Sequence, residues 1–206
     1  MFESSFNLRS REFKSLLAAT RLTRAKLLGA GRFSAVYDNE DGTVTKFTTD
    51  NLWIDYALHC GPRTAFAPAL LDLARDTMLY AGRPVSVAIL PRYTAVMPNS
   101  PAGREAVKIR RIRSQEQRRL LADLDNNLAK TQGEACCYLS ALLNRMVRAG
   151  AGTLQDETCS ALRVISRFVG RRDDRRFVGL DMHVKNFMLA PGGQLVLSDP
   201  LVNTDA

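Results

Sequence analysis

The sequence predicts an α+β chain in two lobes, a small antiparallel β lobe followed by a mainly helical one. Three observations predict it. Between residues 25 and 90, short β-rich runs alternate with Gly, Asp-Gly and Gly-Arg-Pro turns. Pro91, Pro98 and Pro101, with Asn99, Ser100 and Gly103 among them, then mark a connector. Beyond it, apolar residues recur at helical spacing. At 206 residues the chain can bury a proper core, as one domain or as two small lobes.

Taken in order, residues 1–24 hold a short helix, with Ser10 as N-cap and Phe13, Leu16 and Leu17 on one face. From Ala25 the pattern gives three strands. Gly29 and Gly31 mark a tight turn between the first two, and Asp41-Gly42 marks a hairpin into Thr43-Val44-Thr45-Lys46-Phe47. A glycine-rich turn lets backbone N–H groups approach a phosphate without Cβ obstruction, and Lys46 offers those phosphates a point charge. An ordinary hairpin explains the two glycines equally well. Residues 51–60 fit a short helix with Trp53, Ile54 and Ala57 inward, ended by Gly61-Pro62; residues 77–80 and 85–90 read as two more strands. The boundary falls at 91–103, and residues 104–206 form the second lobe.

In that lobe, Ser114-Gln115-Glu116-Gln117 fits a capping box ahead of Leu120, Leu121, Leu124 and Leu128. A second helix over 134–149 places Tyr138, Leu139, Leu142, Leu143, Met146 and Val147 on one face. Thr153 is the expected cap of a third, with Asp156 and Glu157 in its first turn and Leu162, Ile165 and Val169 as its buried stripe.

Composition narrows the function classes. Hydrophobic residues make up 46% and charged residues 24%, as in ordinary globular proteins rather than disordered ones. No apolar run approaches the roughly 18 residues of a membrane span. Met1-Phe2-Glu3-Ser4-Ser5 lacks the pattern of a secretory leader, so a cytoplasmic location with no membrane partner is expected. Cys60, Cys136, Cys137 and Cys159 have no CxxC spacing and read as reduced, buried thiols. The net charge of +8 favours anionic partners.

The most informative stretch lies between Gly179 and Pro200. It sets Asp181, then Asn186 five residues on, then Asp199 thirteen further, around a β-hairpin turned at Pro191-Gly192-Gly193. Three oxygen-bearing side chains at hairpin ends can share one site. A metal bound to phosphate takes such hard oxygen ligands, and a hydroxyl nucleophile needs a carboxylate base. Loop capping and turn formation are the structural explanation of the same residues.

The order of glycine-rich hairpin, strand lysine, short helix, strands, connector, helices and Asp-x-x-x-x-Asn with a distal Asp resembles the protein-kinase-like fold over most of residues 25–200. More narrowly, Gly29-Ala30-Gly31-Arg32-Phe33-Ser34-Ala35-Val36-Tyr37, Asp181-Met182-His183-Val184-Lys185-Asn186 and Ser198-Asp199-Pro200 look like the early serine/threonine kinase of short-tailed lytic bacteriophages. That resemblance implies a two-lobed fold with a small β N-lobe and a truncated, mainly helical C-lobe. It also implies ATP and Mg2+ as cofactors, and host bacterial proteins of the transcription or RNA-processing machinery as substrates, met in the host cytoplasm.

By the same resemblance, Asp181 is the base that accepts the substrate hydroxyl proton, and Asn186 and Asp199 are the metal ligands. Lys46 pairs the phosphates, while Gly29, Ala30, Gly31, Arg32, Phe33, Ser34 and Val36 form the covering loop. His183 stands where protein kinases carry a lysine and small-molecule kinases often carry histidine; a structural hydrogen bond explains it equally well. The chain departs from the pattern in several places. Ser34 replaces the third glycine, Gly179-Leu180 precedes the catalytic aspartate, and Pro200-Leu201 follows the distal one. No clear glutamate pairs with Lys46, Asp50 and Asp55 being the local substitutes. Seven residues follow Asp199, so no activation segment or later substrate-holding helix is expected.

Two other readings remain at this point. One is a catalytically weak, kinase-shaped protein that inhibits a host complex by docking; the other is a small-molecule phosphotransferase. Lys108, Arg110, Arg111, Arg113, Arg118 and Arg119 read first as a solvated helix face, then as a contact for an acidic protein, then for nucleic acid, which interleaved aromatics would have favoured. Arg171, Arg172, Arg175 and Arg176 could steer an acidic substrate or ATP, or pair with Asp173 and Asp174.

Overall fold

Short β-branched runs separated by tight turns build a five-stranded antiparallel sheet, in the order β1 (Leu27–Ala30), β2 (Ser34–Asp38), β3 (Thr43–Thr48), β5 (Arg83–Pro91), β4 (Asp72–Tyr80). The computed structural model describes residues 6–126, 134–172 and 178–203. The β2–β3 turn requires its glycine, since Gly42 has φ +86°. The strand expected over 77–80 begins earlier, at Asp72, because a bulge between Ala74 and Met78 interrupts its pattern. At that bulge Asp76 takes φ +50°, and its N–H donates to the buried Ser86 hydroxyl at 3.0 Å.

Helix α1 (Arg11–Ala19) closes one face of this sheet. Ser10 caps it as expected, accepting from the Phe13 N–H at 3.1 Å. Phe13 then packs edge-on against Phe47 and Tyr80, with ring centroids 5.9 and 6.0 Å away. Alternation along β3 sends Phe47 into that cluster and Lys46 to the opposite face.

The chain divides into two compact units. One runs to Ile54 and takes in Ala69–Tyr93; the other holds Asp55–Pro68 and the chain from Thr94 on. The passage at Tyr93 lies within the connector expected at 91–103, which also contains the end of β5, the short strand β6 (Thr94–Ala95) and the first turn of helix α3 (Pro101–Asn126). A second passage lies inside helix α2 (Asn51–Cys60), which the sequence pattern does not reveal.

In the second unit α3 corrects one expectation. The helix starts at Pro101, so Ser114 sits in its interior and caps nothing. Ser100 does the capping, its Oγ accepting from the Gly103 N–H at 3.0 Å, with Pro101 in the first helical position. Glu116, within the stretch read as a capping box, is buried and bonded to Arg119 and Arg145. The buried stripe is therefore Ala106, Ile109 and Ile112, whereas Leu121 is 46% exposed. The side chain of Leu124 and all of Leu128 lie outside the described residues.

Helices α4 (Glu134–Gly150) and α5 (Asp156–Gly170) bury the residues their periodicity indicates, among them Leu139, Leu142, Leu143, Met146, Leu162, Ile165 and Val169. Thr153 is not the cap of α5. Gln155 holds that position without a side-chain bond, and its N–H donates to the buried Glu105 carboxylate of α3 at 2.8 Å. A carboxylate fifty residues away thus meets the helix N-terminus, a partner no local pattern encodes.

Cys60 and Cys159 are buried free thiols, and burial pushes the Cys60 thiol up to about 12. The Cys136 and Cys137 side chains lie outside the described residues, as do Asp173, Asp174, Arg175 and Arg176. Among the described residues no helix is long and apolar enough to cross a membrane.

Candidate functional site

In the second unit, β7 (Val178–Leu180) pairs antiparallel with β10 (Leu201–Asn203), and β8 (Phe187–Leu189) with β9 (Leu195–Leu197). Gly193, at φ +81°, makes the β8–β9 turn. The four strands leave two junctions, residues 181–186 and 198–200. Buried Met182, Phe187 and Leu197 anchor them from beneath. The Tyr56 hydroxyl donates to Leu197 O at 3.1 Å, and the Leu197 N–H donates to Phe66 O at 2.7 Å. Residues 55–68 therefore help to hold β9.

Asn186 joins the two junctions. Its Nδ2 donates to the main-chain carbonyls of Asp181, at 3.0 Å, and Asp199, at 2.7 Å. Its own carbonyl accepts from the Ser198 N–H at 2.8 Å and the Ser198 hydroxyl at 3.2 Å. The Asp181 N–H donates to Pro200 O at 2.7 Å. One amide thus brings Asp181 and Asp199, eighteen residues apart in sequence, to a shared end of the hairpin. With both amide hydrogens committed, Oδ1 remains as acceptor.

The other members are set by short local bonds. Asp181 is exposed, and its Oδ1 accepts from the His183 N–H at 3.1 Å, which fixes the carboxylate beside its own loop. His183 caps the single 3-10 turn Val184–Asn186, Nδ1 accepting from the Lys185 N–H at 3.3 Å. Of its two expected roles the structural bond is present, and Nε2 is the nitrogen left for a ligand. Arg113 is corrected from the solvated run: its guanidinium donates to Leu180 O at 3.0 Å, immediately before Asp181. Lys108 and Arg119 of the same run bond to Thr153 O and Glu116.

In the first unit, Gly29 and Ala30 close β1; Gly31, Arg32 and Phe33 form the turn; Ser34 and Val36 lie on β2. Gly31 N–H donates to Ser34 O at 2.8 Å, and Phe33 O accepts from Thr48 Oγ1 and Thr49 N–H. Neither Gly29 nor Gly31 has a positive φ, and a Cβ at either would meet nothing within 4 Å. The fold itself therefore has no need of glycine there.

Lys46 sits on the central strand, opposite Val36 on β2 and Ala88 on β5. It is 7% exposed, and its Nζ lies 3.7 Å from the centre of the Trp53 ring. A desolvated cation over indole is worth ~2 kcal/mol. Trp53, read from the sequence only as a core residue, is thus a partner of Lys46. Asp50 caps α2, accepting from the Leu52 and Trp53 N–H groups, and Asp55 pairs with Arg172 at 3.5 Å.

Among the described residues no three His, Cys, Asp or Glu side chains form a metal-binding group. A metal at the hairpin would draw on the Asn186 amide oxygen, the Asp199 carboxylate and oxygens of its own ligand. Compared with known protein families and with curated proteins, the sequence matches none.

Proposed function

We propose that the chain is an ATP- and magnesium-dependent serine/threonine protein kinase of the phage type, with a kinase-like two-lobed fold, acting on bacterial host proteins. The observation that carries this reading is the Asn186 amide bonded to both the Asp181 and Asp199 carbonyls. Phosphoryl transfer asks a protein mainly to position groups and spread charge, and that clamp supports the reading because it would hold Asp181 as base and Asp199 as metal ligand at one end of the hairpin.

The donor set fits magnesium, which accepts one or two hard protein oxygens and completes its shell with phosphate and water. Bound there, the ion would neutralise charge on the transferring phosphate. Asp181, exposed and oriented by its loop, takes the proton of the attacking serine or threonine hydroxyl. Lys46 holds a phosphate oxygen, oriented by the Trp53 ring. The 29–34 turn offers backbone N–H groups to the same phosphates.

The glycine turn gives a separable test. Gly31→Ala should leave the melting temperature unchanged or raise stability by ~0.4–1 kcal/mol, because the position is open and its φ ordinary. ATP affinity should fall in the same variant. Unaltered affinity would remove the turn from the nucleotide site.

The function itself is tested by incubating the protein with γ-labelled ATP, magnesium and bacterial lysate. The expected product is label on serine or threonine of lysate proteins. Label confined to small hydroxylated compounds would make it a small-molecule phosphotransferase. Host-protein capture with no label would make it a docking inhibitor.

A further inference from the structure

A groove runs between α4 and α5, a cavity of about 930 Å³ walled by Arg145, Arg148, Arg163, Arg167 and Arg171. Arg145 is neutralised by Glu116 and Asp123, at 3.2 and 2.6 Å. The others differ. Arg148, Arg163, Arg167 and Arg171 are exposed, and none of their side chains forms an ion pair among the described residues. Like charges gathered on two packed helices repel, a cost that an anionic occupant would relieve.

The spacing indicates the shape of that occupant. Arg163, Arg167 and Arg171 follow at every fourth residue of α5 and its C-cap, stepping ~6 Å along the axis. Alternate side chains of an extended peptide step by ~6.6 Å, so acidic residues at every second position would meet successive guanidinium forks. The floor is polar and already organised. Ser140 and Ser166 hydroxyls lie 3.0 Å apart, and the Ser166 hydroxyl donates to Asn144 Oδ1 at 3.1 Å. Gly170 keeps the groove open beside Ser140, since a Cβ there would lie 3.2 Å from the Ser140 hydroxyl. Among the described residues no aromatic side chain lines the groove, so these residues supply no stacking platform for single-stranded nucleic acid.

We propose that the α4–α5 groove is a docking site for an acidic, extended segment of a partner protein. The positive field is felt nearby: His59 is held below the usual imidazole range by burial first, then by Arg63 and Arg171. Arg110 and Arg111 on α3 are also exposed, but neither lines this groove. The site stands without the phosphoryl-transfer reading, because docking needs no nucleotide.

The test is fluorescence anisotropy of a labelled polyglutamate peptide with the full chain and no ATP. Wild type should bind, more weakly as salt rises, and Arg163→Glu/Arg167→Glu should lose at least about tenfold in affinity. Arg110→Glu/Arg111→Glu should bind like wild type. Arg163→Gln/Arg167→Gln, which adds no repulsion, should lose affinity with an unchanged melting curve, separating lost docking from lost fold. No peptide binding, or equal loss in the α3 variant, would overturn the assignment. Tighter binding of single-stranded DNA, abolished by the groove variants, would overturn it in favour of nucleic acid.

Discussion

Asp199→Asn should reduce label transfer from ATP by about a thousandfold, ~4 kcal/mol of transition-state stabilisation, with the fold intact. The main-chain carbonyl of Asp199, not its carboxylate, receives the Asn186 amide, so the swap preserves that bond. What it removes is the carboxylate charge that, on the proposed reading, would face the metal. The loss should therefore appear as weaker magnesium dependence and a lower rate, with an unchanged melting temperature. Transfer at the wild-type rate would show that Asp199 holds no metal in the reaction.

Asn186→Ala should fail in a different way, losing both stability and transfer. Two carbonyls lose their donor at once. The bond to Asp199 O is part-buried and costs ~1–3 kcal/mol when unmade, while water can replace the exposed one to Asp181 O, so a net loss of ~2 kcal/mol is expected. For a chain of this size that corresponds to a fall of ~4–8 °C in melting temperature. Transfer should fall at least as far as in Asp199→Asn, since the proposed metal ligand and the spacing of both aspartates are lost together. A variant that melted like wild type would mean that the hairpin junctions are held by the strand pairs alone.

The elements legible in the sequence are those whose causes are local. Asp41-Gly42 specifies its turn through Gly42, Ser10 specifies its cap, and the 3.6-residue stripes of α4 and α5 pick out their buried faces. The hairpin around Gly193 was likewise readable, and with it the grouping of Asp181, Asn186 and Asp199. Features fixed by distant partners were not. Thr153 looked like a cap because nothing nearby announces Glu105, and Ser114 looked like one because Ser100 and Pro101 resemble a connector as much as a helix start.

The candidate site shows the same limit. The oxygen-bearing residues could be named from spacing, but their support could not. Trp53 over Lys46 joins a helix to a strand, and Arg113 reaches Leu180 O across sixty-seven residues. A charged residue in a basic run carries no mark that it will hold a loop. Of the four α4–α5 arginines the sequence marks only Arg171, as part of a different cluster; Arg148, Arg163 and Arg167 belong to two helices and join it in one surface only when these pack.

The most direct test of the central claim compares wild type with Asp181→Ala in a single label-transfer reaction containing γ-labelled ATP and magnesium. Asp181 is exposed, and its carboxylate bonds only within its own loop among the described hydrogen bonds, so the variant should fold and bind ATP. Wild type should label serine or threonine, and Asp181→Ala should be slower by about 10²–10⁴-fold, the usual contribution of a general base. A silent wild type, or a variant as fast as wild type, would contradict the account.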